Sequence, residues 1–130
     1  ENLLHAEDIH HDIYVIGTQE ALGGIVSSMF KPSKAPMNRM IEETLGEKYV
    51  MLQSVSLQAT HLVIFISKRL SPLVSNVVFD TIATGFKNMV GNKGAVKISF
   101  SLADKSFMFI NCHLHSGLNG VGKRNHDVAQ

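Results

Sequence analysis

The chain has one cysteine and no tryptophan among its 130 residues, and only three prolines. With Cys112 alone, an intramolecular disulfide is excluded, and a reducing compartment is the natural setting. Neither sign of charge dominates: 12 Lys and Arg stand against 11 Asp and Glu, a formal net charge of +1. Non-specific nucleic-acid binding needs a strong basic excess, so nucleic acid is not an expected partner, whereas a local basic pocket for phosphate is allowed. No run approaches the ~18 consecutive apolar residues of a membrane-spanning helix. The opening Glu1-Asn2-Leu3-Leu4-His5-Ala6-Glu7-Asp8 carries acids where a secretory signal has a basic region and an apolar stretch. A soluble, cytoplasmic protein or piece of one is expected. Its apolar fraction of 45% suits a single packed unit.

Several stretches have strand or helix character. Ile13-Tyr14-Val15-Ile16, ending at Gly17, suits a strand buried on both faces. Gly23 to Lys34 reads as an irregular loop. Asn38 to Leu45 has Met40, Ile41 and Leu45 at helical spacing, with Gly46 placed to end the helix. Tyr49 to Leu57 alternates, putting Tyr49, Met51, Gln53, Val55 and Leu57 on one side. Further strands are expected over His61 to Ser67, Ser75 to Ala83, Ala95 to Leu102 and Ser106 to His113. Ala103-Asp104-Lys105 is the hairpin turn between the last two. Gly117 to Gly122 is a glycine-rich loop, and Lys123 to Gln130 opens a helix. One helical connection followed by strands in series fits a layered α/β or α+β sandwich better than a regular βαβ array.

Three segments carry candidate chemistry. Glu20, with Gln19 beside it at the end of the first strand, is a hard-oxygen ligand suited to magnesium, or simply the start of an exposed loop. Gly91-Asn92-Lys93-Gly94 places an amide and an ammonium between glycines, as a phosphate loop would, or as an ordinary hairpin turn would. Asn111, His113 and, if the strand persists, His115 share one strand face, while Cys112 and Leu114 point the other way into packing. A Cys112–His113 nucleophilic dyad is therefore disfavoured, because strand neighbours face apart. A zinc site from His113 and His115 lacks a third ligand of convincing spacing. His5, His10, His11, His61 and His126 read as surface or core histidines.

Together these segments resemble the inositol polyphosphate 5-phosphatases. Asp12 to Glu20 resembles their "DIYVIGxQE" strand, and Thr84-Gly85-Phe86 through Val96 their "TG…GNKGAV" segment. Phe109 to Gly117 resembles "FxNSHLxSG", and Arg124-Asn125-x-Asp127 the "RNxD" that follows. The resemblance implies a DNase I-like, four-layer α/β/β/α sandwich, of which residues 1–130 would be the N-terminal half as a single unit. It implies that Glu20 binds Mg2+ and that His113 contacts the scissile phosphate, with Asn111 on the same face as its partner. Asn92 and Lys93 would lie in a loop near the substrate, an inositol polyphosphate or phosphoinositide. In that chemistry a water attacks the 5-phosphate while magnesium and hydrogen-bond donors stabilise the developing charge. A peripheral membrane contact through Met29, Phe30, Lys31 and Lys34 is a candidate partner, weighed against Met29 and Phe30 packing inward with both lysines solvated.

The departures are also informative. The family's "WN" strand would precede Glu1, and its "GDLNYR", "WCDRIL" and "SDH" segments would follow Gln130, so the remainder of the catalytic domain is an expected partner. Two rivals are a nuclease or sphingomyelinase of the same superfamily and a non-catalytic module of the same fold. Half a sandwich would leave an apolar sheet face uncovered, which favours association; a monodisperse monomer in light scattering would count against that. Catalytic groups act as a unit, so this 130-residue polypeptide alone is expected to release no meaningful phosphate. Robust magnesium-dependent release from a soluble inositol polyphosphate would overturn that expectation.

Overall fold

The structure is a computed structural model and describes residues 9–20, 34–58, 60–84 and 93–129. In chain order the elements are β1 (Ile13–Gln19), α1 (Ala35–Leu45), β2 (Tyr49–Leu57), β3 (Thr60–Ser67), a 3-10 turn (Ser71–Leu73), β4 (Val74–Ala83), β5 (Gly94–Leu102), β6 (Lys105–His113) and α2 (Val121–Val128). They form two three-stranded antiparallel sheets, ordered β1-β3-β2 and β4-β5-β6. The mixed architecture is the expected class. Among the described residues, no helix is long and apolar enough to cross a membrane.

Strand β3 shows why the sheets stack. Its apolar run has no polar face, so both sides must be covered, and every residue from Thr60 to Ile66 is buried. Leu62 and Ile64 pack with Val55, Val96, Ile98 and Phe100 between the sheets. Val63 and Phe65 pack with Ile41, Leu45 and Tyr49 beneath α1. Each such buried side chain stabilises the fold by about 1.5–3 kcal/mol. Three stacked rings, Phe100, Phe107 and Phe109, extend the inter-sheet core.

Some local expectations are corrected. Helix α1 begins at Ala35, because Pro36 suits a first helical turn as well as a loop. Its inward stripe is Met37, Ile41 and Leu45, whereas Met40 is 60% exposed. Gly46 ends the helix at φ 77°, donating its N–H to Glu42 O. In β2, a bulge between Met51 and Gln53 inserts one residue against β3. The insertion flips the strand's faces, so Tyr49 packs under the helix and Val55 between the sheets. Strand β1 is an edge strand of its sheet rather than doubly buried, and Val15 is 36% exposed. Lys34, expected at a surface, is buried at the start of α1, and burial lowers its pKa. Met29, Phe30 and Lys31 lie outside the described residues.

The outer face of the second sheet keeps Val78, Ile82, Met108 and Ile110 exposed. Cys112 also emerges there, exposed rather than packed as expected. The end of α2 approaches this face, and Asp127 and Val128 join Ile82, Ile110 and Leu114 around a cavity of about 240 Å³.

The two kinds of position make a direct stability test. Ile64→Ala, at a fully buried site, is expected to cost about 2–5 kcal/mol in urea unfolding. Met40→Ala, on the exposed side of α1, should stay within about 0.5 kcal/mol of the parent.

Candidate functional site

The site forms where the end of β1 in one sheet meets the end of β6 in the other. Glu20 follows β1 directly and takes φ 55°, a left-handed conformation unusual for a residue with a side chain. That turn carries its mostly exposed carboxylate to His113, the last residue of β6, with Oε1 3.6 Å from Nε2. Strained backbone of this kind is sustained only where its surroundings hold it.

Lys93 reaches the same ring. Gly94 pairs directly with His113 across β5 and β6, so the preceding residue lies beside the histidine. The Lys93 carbonyl accepts a hydrogen bond from Thr84 N–H at 3.0 Å, anchoring it to the end of β4. Gly94 has φ 149°, and a Cβ there would lie 2.1 Å from Ile82 O. This glycine is thus required by close strand packing. Asn92 lies outside the described residues.

Lys93 Nζ stands 2.7 Å from His113 Nε2. An ammonium has only hydrogens to offer, so Nε2 must accept and the ring proton resides on Nδ1. That Nδ1 is buried and has no hydrogen-bond partner among the described residues. Burial lowers the His113 pKa, the Lys93 charge lowers it further, and Glu20 opposes both. The ring is therefore neutral at neutral pH. A cation, a neutral imidazole and a carboxylate converge on one point.

Asn111 is on the inward face of β6 with His113, but its amide is engaged elsewhere. Nδ2 donates to Thr18 O at 3.0 Å and to His61 O at 2.8 Å, and Oδ1 accepts from Gln19 Nε2 at 3.3 Å. Gln19 Nε2 also donates to Cys112 O at 2.5 Å. These bonds tie the amide to Thr18, His61 and Gln19 rather than to the His113 ring.

Past His113 the strand ends, so the condition for His115 to share that face is not met. Its Nδ1 lies 2.7 Å from Asp127 Oδ2, and its backbone N–H donates to the same oxygen at 3.1 Å. Arg124 donates to the carbonyls of His115 at 3.1 Å and Gly117 at 2.9 Å. The Arg-Asn-x-Asp segment therefore latches α2 to the end of β6. The three-residue spacing of Arg124 and Asp127 places them on one helix face, the only local sign of this latch. In the sequence Gln19 stands out only as the neighbour of Glu20. Nothing local in the sequence shows that it reaches Cys112. Among the described residues, no group of three or more His, Cys, Asp or Glu could hold a metal ion. Glu20 instead suits magnesium as a single carboxylate, since that ion commonly takes one or two protein carboxylates and fills its other positions with water and substrate phosphate.

An ammonium and an imidazole beside a hard-oxygen ligand, held at the facing ends of a two-sheet sandwich, are the equipment of a phosphate-handling site. Residues 1–130 match the family described as Endonuclease/Exonuclease/phosphatase family 2, and the chain belongs to that family. It is 34% identical over 92% of its length to phosphatidylinositol 3,4,5-trisphosphate 5-phosphatase 2A of Danio rerio, covering 9% of that protein. It is 34% identical over 95% of its length to the human phosphatidylinositol polyphosphate 5-phosphatase type IV, covering 18% of it. A solved relative is the inositol polyphosphate 5-phosphatase domain of SPsynaptojanin, in complex with inositol (1,4)-bisphosphate and a calcium ion. It superposes with a TM-score of 0.70 at 32% identity, covering 89% of this chain and 34% of that one. The chain thus spans less than a fifth of these curated relatives and about a third of the synaptojanin chain. Cimex nitrophorin shares the fold alone, with a TM-score of 0.66 at 12% identity.

Two measurements test the electrostatics. Lys93→Ala removes a charge that depresses His113, so its imidazole should titrate at higher pH in an NMR titration. At Asp127, burial pushes the carboxyl up, but the His115 hydrogen bonds and charge outweigh it and the pKa is lowered. A lowered carboxyl contributes stability that is present above the unfolded value of about 3.9 and is lost as pH falls through the folded one. Asp127→Asn should therefore be less stable at neutral pH, by about 1–3 kcal/mol in urea unfolding, with a flatter decline in acid.

Proposed function

We propose that the chain is the N-terminal part of a magnesium-dependent phosphatase domain that removes the 5-phosphate from inositol polyphosphates or phosphoinositides. The observation that carries the reading is the meeting of Lys93 and Glu20 at His113 Nε2, at 2.7 and 3.6 Å. The 5-phosphatase names of the relatives support the substrate class. A cytoplasmic setting, with substrate presented in solution or at the inner face of membranes, belongs to the same reading.

Glu20 would hold the magnesium ion, which when bound would polarise a phosphoryl oxygen and offset the charge developing on it. The chain's own residues account for binding. Lys93 would turn its ammonium from His113 to the phosphate, where it meets a full negative charge instead of a neutral nitrogen lone pair. The same phosphate favours the charged imidazole, reversing the effects that keep His113 neutral without ligand. His113 would then donate from Nε2 to a phosphoryl oxygen and stabilise charge there. Burial of the ring and the β5–β6 ladder fix its direction.

The test is calorimetric titration of the chain, in the presence of Mg2+, with inositol 1,4,5-trisphosphate, which carries the 5-phosphate. Binding is expected, and Glu20→Gln and His113→Ala should each weaken it by roughly tenfold or more, the loss of a charge-assisted contact. Turnover is expected only from a polypeptide that also carries the rest of the catalytic domain. There His113→Ala should lower kcat by about 10²–10³. Binding that ignores both substitutions, or that is unchanged when EDTA removes the ion, sinks the proposal.

A further inference from the structure

We propose that Asn111, braced by Gln19, is a positioning residue: a polar tie between the sheets that sets the gap between Glu20 and His113. This inference rests on the reading of that gap as the phosphate and metal site.

The apolar core alone cannot set this gap. Glu20 and His113 extend from different sheets, joined mainly by the apolar cluster of Val55, Leu62, Ile64, Val96, Ile98 and Phe100. Hydrophobic contact is non-directional, so it holds sheets together while specifying their relative offset only weakly. Hydrogen bonds need both distance and angle, and they define an offset sharply. Among the described residues, the bonds across this end of the sandwich come from the side-chain amides of Asn111 and Gln19. Asn111 on β6 donates to Thr18 O on β1 and to His61 O on β3, two residues that face each other across the β1–β3 ladder.

Both Asn111 hydrogens are thus engaged, and its oxygen receives Gln19 Nε2. Gln19 fastens the same two strands a second time through Cys112 O. The tie lies two residues before His113 on one strand, and Thr18 lies two residues before Glu20 on the other. Any slip between the sheets at Asn111 is therefore carried directly to the reactive pair. Gly17 completes the device. A Cβ at that position would lie 3.2 Å from both Cγ and Nδ2 of Asn111, so the glycine gives the amide room to enter.

The test uses ion-free, ligand-free protein, so that it stands or falls apart from the phosphatase assignment. In the parent chain, an NOE is expected between the His113 ring protons and the Glu20 side chain, and another between the His115 ring and the Asp127 side chain. Asn111→Ala should lose the first and keep the second, which reports that β6 and α2 remain folded together. Should Asn111→Ala fail to fold, Gly17→Ala makes the same test by crowding the amide with one methyl group. It too should weaken the His113–Glu20 NOE and spare the other. A folded variant that retains the His113–Glu20 NOE at parental intensity overturns the inference. Absence of inositol 1,4,5-trisphosphate binding by the parent chain would overturn the functional reading and leave the NOE result intact.

Discussion

Strand β3 is buried on both faces, and that constraint organises the rest. Its even-numbered side chains demand a second sheet and its odd-numbered ones a helix, so α1 and the β4-β5-β6 sheet are drawn to opposite sides. Once the sheets face one another, the ends of β1 and β6 lie side by side. The site is a consequence of that stacking. None of its three charged or titratable members belongs to β3, yet their convergence depends on the strand's burial.

Polar groups then refine what the apolar core leaves loose. His61 is fully buried on the helix side, where its Nε2 donates to Asn38 Oδ1 at 2.9 Å and its Nδ1 accepts from Ser56 Oγ at 2.8 Å. Asn38 also donates to Ser54 Oγ at 2.9 Å, so α1 is keyed to β2 and β3 by a short network as well as by burial. On the other side of β3, the Asn111 amide engages the carbonyl of the same His61. Buried polar groups are costly when unpaired, and each of these pairings favours one arrangement of its layers over a slipped alternative.

Fold class and element order were legible because periodicity is a local property of the chain. The β3 run, the β4–β6 meander and the Gly46 stop were all readable from residues near in sequence. The errors were local rules overruled by contacts. The bulge in β2 reversed a face, and edge position exposed Val15. Cys112, read as packed, stands on a face the described residues leave open. Among the candidate site residues, Glu20, Lys93 and His113 were picked out by motif and do come together. Asn111 was picked out for the right face, but the strand pattern could not tell where its amide points.

The sequence by itself determined which residues bear the chemistry and which strand ends they occupy, since side-chain type and alternation are written along the backbone. Only the tertiary structure decided that Lys93 and Glu20 meet at one nitrogen of His113, that this ring is neutral, and that Asn111 reaches across to the carbonyl of Thr18. Those partners are separated by up to 93 positions. Distances and desolvation of that kind arise from the stacking of two sheets, which no local pattern encodes.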